Sequence, residues 1–92
     1  MALRIDSLEI DDFILEKIES KHGIAFIEVE EACLSDKRHV RRGQEGLYKV
    51  FCQTQAGRYI LVVLVNLGTG NWRVATAREM TVSERRLYSR AT

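Results

Sequence analysis

Tyr59-Ile60-Leu61-Val62-Val63-Leu64-Val65 is apolar at all seven positions, with Gly57 just before it and Gly68 just after. The run is too short for an ordinary helix and rich in β-branched residues, so it reads as a strand. Because residues of both parities are apolar, both faces must be covered, which puts the strand at the centre of a sheet. Turn signals surround it at Gly43 to Gly46, Gln55 to Gly57 and Gly68 to Asn71. They divide the second half of the chain into four strands at about 37–41, 47–54, 58–66 and 72–79.

Before these strands the periodicity changes. Leu8 to Ile10 reads as a short first strand, and Asp11 or Asp12 caps a helix over 12–22 whose Ile14, Leu15 and Ile18 form one apolar stripe. Gly23 fits the left-handed position that stops such a helix, and Lys21 and His22 suit its negative end. A second helix over 26–34 puts Phe26, Val29 and Cys33 on one face. Ala25 stands at its cap and has no oxygen to accept the first bond, although Ile24 and Val29 can staple the entry. After the strands, Thr81-Val82-Ser83-Glu84 is a capping box that opens a last helix over 82–90. The expected fold is α+β: a short first strand, two N-terminal helices, an antiparallel sheet of about four strands, and a C-terminal helix.

At 92 residues, 46% of them hydrophobic, the chain predicts one folded domain with one modest core. It has no run long enough to span a bilayer and no secretory signal, so cytoplasmic residence is expected, without a membrane partner. Cys33 and Cys52, nineteen positions apart, read as buried thiols rather than a disulfide. His22 and His39 lack spaced metal-ligand partners, so neither a metal nor another cofactor is expected.

The net charge of +1 is a cancellation. Residues 1–36 carry ten acids against three bases, and residues 37–92 carry eleven bases against three acids. Ten of the fourteen bases are Arg, whose planar fork matches phosphate. The second half therefore points to a polyanion such as RNA, with pairing between the two halves as the alternative use of the charge. Tyr48, Tyr59 and Trp72 lie among these bases, where exposed rings could stack bases and buried ones serve the core.

Metal-free RNA cleavage needs a base for the 2'-hydroxyl, cations for the phosphorane and an acid for the leaving oxygen. The base or acid candidates are His22, Glu79 and Glu84; the electrostatic candidates are Lys21, Arg42, Arg58, Arg73, Arg78 and Arg85. Each has a structural reading beside it: Glu84 as the capping carboxylate, His22 as a cation at a helix C-terminus. There is no GxSxG, Walker loop or GxGxxG.

Lys21-His22-Gly23-Ile24 with Phe26 and Glu28, then Gly57 before an apolar strand, then Ala77-Arg78 leading to Glu84-Arg85-Arg86 and Tyr88, resembles the BrnT family of toxins. The resemblance covers about Leu8 to Tyr88. It implies a RelE-like fold, a ribonuclease toxin of a type II toxin–antitoxin pair, and a ribbon-helix-helix antitoxin as partner, in a homodimer or a heterotetramer with that antitoxin. By position, Lys21, His22, Arg78, Glu84 and Arg85 occupy the family motif. Arg78, Arg85, His22 and Glu84 are then the catalytic candidates, with His22 or Glu84 as base. Lys21, Arg42, Arg58 and Arg73 are the RNA-binding candidates, Arg58 and Arg73 from charge and strand position alone. Ala25 departs from the family's Ser or Thr, and Ile10 stands where Trp is common. The rival function is a non-catalytic module that keeps the fold and binds RNA or the antitoxin.

Overall fold

The computed structural model describes residues 3–92. In chain order the elements are β1 (Ser7–Glu9), α1 (Asp12–His22), α2 (Phe26–Cys33), β2 (His39–Arg42), β3 (Leu47–Gln53), β4 (Tyr59–Gly68), β5 (Asn71–Glu79) and α3 (Val82–Ala91), with a single 3-10 turn at Gln44–Gly46 before β3. The sheet has five strands in the order β1-β5-β4-β3-β2, so the apolar run is its central strand. The four strands β2 to β5 are antiparallel as expected, and β1 extends the sheet at its far edge, parallel to β5, with Leu8 beside Trp72 and Glu9 beside Arg73.

The helix ends follow from local chemistry. Asp11 accepts the Ile14 amide at 2.8 Å and Gly23 turns out of α1 at φ 61°. At α2, Ala25 cannot accept a bond, but the Glu28 carboxylate reaches back to the Ala25 amide at 3.0 Å, so half of a capping box survives. The Thr81–Glu84 box at α3 is complete: the Glu84 amide reaches the Thr81 hydroxyl at 3.2 Å and the Thr81 amide reaches the Glu84 carboxylate at 2.8 Å. β2 starts at His39, two residues later than its composition suggests, because the Lys37 carbonyl accepts the Tyr88 hydroxyl instead of a strand partner.

The two helices and α3 take opposite faces of the sheet. On one side Ile18, Ile24, Val29, Ala32 and Cys33 pack on Val50, Cys52, Ile60, Val62, Leu64, Trp72, Val74 and Ala77. Each such aliphatic side chain gains about 1.5–3 kcal/mol on full burial. Cys33 and Cys52 are buried here as free thiols. On the other side α3 covers only one end of the sheet, through Phe51, Leu61, Met80 and Tyr88 with Tyr59 and Leu87 against them. Val63 and Val65 remain only partly covered. The coverage expected on both faces of β4 is thus complete on one and partial on the other.

A bulge in β5 matters for what this partly open face carries. Val63 pairs with Thr76 but Leu64 pairs with Val74, which leaves Ala75 as an extra residue and reverses the parity of the strand. Arg73 and Arg78, five apart and so opposite by simple alternation, both lie on the face that α3 only partly covers, beside Val65 and Leu61.

Candidate functional site

Register rows describe the open face. Arg78, Leu61, Phe51 and His39 form the row beside α3; Thr76, Val63, Lys49 and Arg41 form the next; Glu9, Arg73, Val65 and Leu47 form the third. The face is therefore apolar along its middle strand and cationic or polar at its flanks.

At the α3 end, Arg78 and Glu84 make a bidentate pair, Nη1 to Oε1 at 2.7 Å and Nη2 to Oε2 at 2.8 Å. Arg78 Nη1 also donates to the Glu79 carbonyl at 3.1 Å. Three of the five guanidinium N–H groups are thereby used, which leaves the Nε–H and one Nη2–H for a ligand. Hydrogen bonding to Arg78 holds the Glu84 carboxyl down to about 2, helped by the Thr81 amide and opposed by burial. Glu84 is therefore a firmly ionised carboxylate at neutral pH. It orients Arg78 and caps α3, with little affinity left for a proton. The Arg78 guanidinium is raised in turn, chiefly by the same bond.

Arg85 follows one residue further round α3 and stands over a ring: its guanidinium carbon is 4.4 Å from the Tyr59 ring centre. Tyr59 meets Tyr88 edge-on with centroids 6.0 Å apart, and Tyr88 is buried. Arg85, Arg86 and Arg90 with Tyr59 border a groove of about 510 Å³ along α3, and among the described residues none of these three is paired with a carboxylate.

Arg58 has a different setting. Its Nη1 donates to the Gly23 carbonyl at 2.8 Å and to both Glu28 oxygens at 3.0 Å, and its Nη2 reaches the His22 carbonyl at 3.4 Å and Glu79 at 3.5 Å. One guanidinium thus joins the end of α1, the start of α2, β4 and β5. The Ala25 amide first, and Arg58 after it, hold the Glu28 carboxyl below its ordinary range. Arg58 satisfies the His22 and Gly23 carbonyls at the end of α1, which is a structural task.

The remaining sequence candidates separate. Arg73 is on the open face but paired with Glu9 at 2.9 Å. Arg42 is not on that face: it shares the parity of Val40 and stands 5.7 Å from the Tyr48 ring, on the side of α1 and α2. Lys21 is exposed in a groove of α1 beside Phe13, Lys17 and Ser20, on the other layer from Arg78. His22 is half-buried at the end of α1, on the other layer from Arg78, and it is its backbone carbonyl that meets Arg58. The structure thus unites Arg78 with Glu84 and sets Arg85 next to them, while Arg58 and Arg73 are engaged elsewhere. The open face also carries His39, Arg41 and Lys49, which charge counting did not single out. Val40 held the signal: the lone apolar residue of a short edge strand faces the core, so its neighbours face away.

No family model matches the sequence, and no curated protein does. Among solved structures, the crystal structure of the Brucella abortus ribonuclease toxin BrnT is similar with a TM-score of 0.69, over 82% of this chain and 96% of that one, at 16% identity. The match takes in nearly all of the toxin. The mixed sheet with paired helices on one face and a single helix at one end of the other is the BrnT fold.

Proposed function

We propose that the chain is the toxin of a type II toxin–antitoxin pair, acting in the cytoplasm as a metal-independent endoribonuclease. The observation that carries this reading is a BrnT fold whose open sheet face is bordered by cations, with Arg78 held rigid by Glu84. RNA would lie across that face. The two free N–H groups of Arg78 would hold the scissile phosphate, and Arg85 would add charge as negative charge builds on the phosphorane. A 2'-hydroxyl gives up its proton and attacks the adjacent phosphorus, the P–O5' bond breaks, the departing 5'-oxygen takes up a proton, and a 2',3'-cyclic phosphate remains. Glu84 is spent on Arg78 and the helix cap, and His22 sits on α1 across the sheet from Arg78, so this reading rests on Arg78 and Arg85 and assigns the base to neither. A ribbon-helix-helix antitoxin would neutralise the toxin by covering the same face.

Arg78→Ala should abolish RNA cleavage and growth inhibition while circular dichroism stays native. Cleavage at the wild-type rate by that variant would refute the assignment. The mutual engagement of Arg78 and Glu84 favours a second reading, a module that binds RNA without cutting it. That reading predicts salt-sensitive binding and no product on long incubation.

A further inference from the structure

Arg41 and Lys49 stand directly opposite each other across β2 and β3 on the open face. Both are exposed, and among the described residues neither is paired with a carboxylate. Like charges in directly opposed positions destabilise a sheet. Elsewhere on this face the cations are neutralised, Arg73 by Glu9 and Arg78 by Glu84. Among the described residues of this face, the Arg41–Lys49 pair is left as unrelieved repulsion, which an anion would convert into attraction.

The surroundings suit a chain-like anion. Lys49 borders a cleft of about 580 Å³ whose floor includes Val63 and whose far side carries Thr76. Val63 is half-buried, so an apolar surface lies next to the cations, as a ribose or base beside its phosphate requires. Glu45 also borders the cleft and opposes an anion there. From strand spacing, Lys49 lies about 12 Å from Arg78 between Cα atoms, two strands over and two residues along. That separation suits two side chains that address different phosphates of one strand.

We propose that Arg41 and Lys49 form a second phosphate-binding site, which grips the backbone of single-stranded RNA away from the scissile bond and sets how the strand crosses the sheet. The proposal rests on the ribonuclease reading above. Its test uses a fluorescently labelled single-stranded RNA with 2'-O-methyl groups, which lacks the attacking hydroxyl, and measures anisotropy over a salt series with the full chain.

The double variant Arg41→Gln, Lys49→Gln should bind about tenfold more weakly, the worth of a charge-assisted hydrogen bond, and its log–log salt slope should fall by about 0.7. Glu45→Gln should bind more tightly than the wild type. A natively folded double variant with wild-type affinity and slope would overturn the second site and leave the ribonuclease reading standing. A wild-type chain that binds no RNA at all would overturn both.

Discussion

Replacing Glu84 by Gln isolates the charge that the Arg78 pair depends on. The Gln amide keeps an oxygen for the Thr81 amide, so the helix cap survives and the ion pair does not. The Glu84 carboxyl falls from 4.5 to about 2 in the folded chain. By linkage that drop is worth roughly 3 kcal/mol, and the 39% exposure of the Arg78 side chain lowers the expectation to about 2 kcal/mol. For a depressed carboxyl the stability is fully present above the unfolded value of 4.5 and is lost as pH falls through about 2. The gap between wild type and Glu84→Gln should therefore be widest and constant from pH 7 to about 5, and should close towards pH 2. In a chain of this size about 2 kcal/mol lowers the midpoint of thermal unfolding by roughly 8–16 °C. Urea unfolding followed by circular dichroism at pH 7, 5 and 3 measures the gap, and other carboxyls cancel in the difference. A gap of the same size at pH 7 and pH 3 would refute the electrostatic account of this pair.

Two further substitutions test the frame around the site. Arg58→Ala strands the Glu28 carboxylate and the carbonyls of His22 and Gly23, and should cost about 2 kcal/mol in urea unfolding; Arg58→Lys should not rescue it, because one ammonium cannot replace a fork that serves α1, α2 and β5. Gly70→Ala should cost about 1–2 kcal/mol, since Gly70 sits at φ 82° and an added Cβ would meet Asp6 Oδ2 at 2.5 Å; a neutral thermal shift would contradict the reading of that turn.

Much of this architecture was legible because it is local. Asp11 and Gly23 bracket α1, the Thr81–Glu84 box starts α3, and a run apolar at both parities marks β4. What the sequence hid is non-local. The parallel seat of β1 against β5 depends on a partner more than sixty residues away, for which no turn gives a register. The extra residue at Ala75 carries no composition signal, yet it alone brings Arg73 and Arg78 to one face.

The candidate site divides in the same way. Arg78 and Glu84 stood in the right segment, but their mutual grip changes what each can do: Glu84 becomes an anchor, and Arg78 a guanidinium with two donors free. Charge alone could not distinguish Arg58, which closes a helix end, from a phosphate ligand. Nor could it prefer Arg41 over Arg42, a choice made by the inward parity of Val40. The bipolar charge of the chain does have a place in the fold: six of the thirteen acids sit on α1 and α2, while, among the described residues, cations without a carboxylate partner lie on α3 and the open face.

The most direct test of the central claim is incubation of purified, antitoxin-free protein with single-stranded RNA in EDTA, with the ends of the products identified. The account predicts cleavage without metal that leaves 2',3'-cyclic phosphate ends and disappears in Arg78→Ala. Intact RNA after long incubation with the wild-type chain, or cleavage that needs a divalent cation, would contradict it.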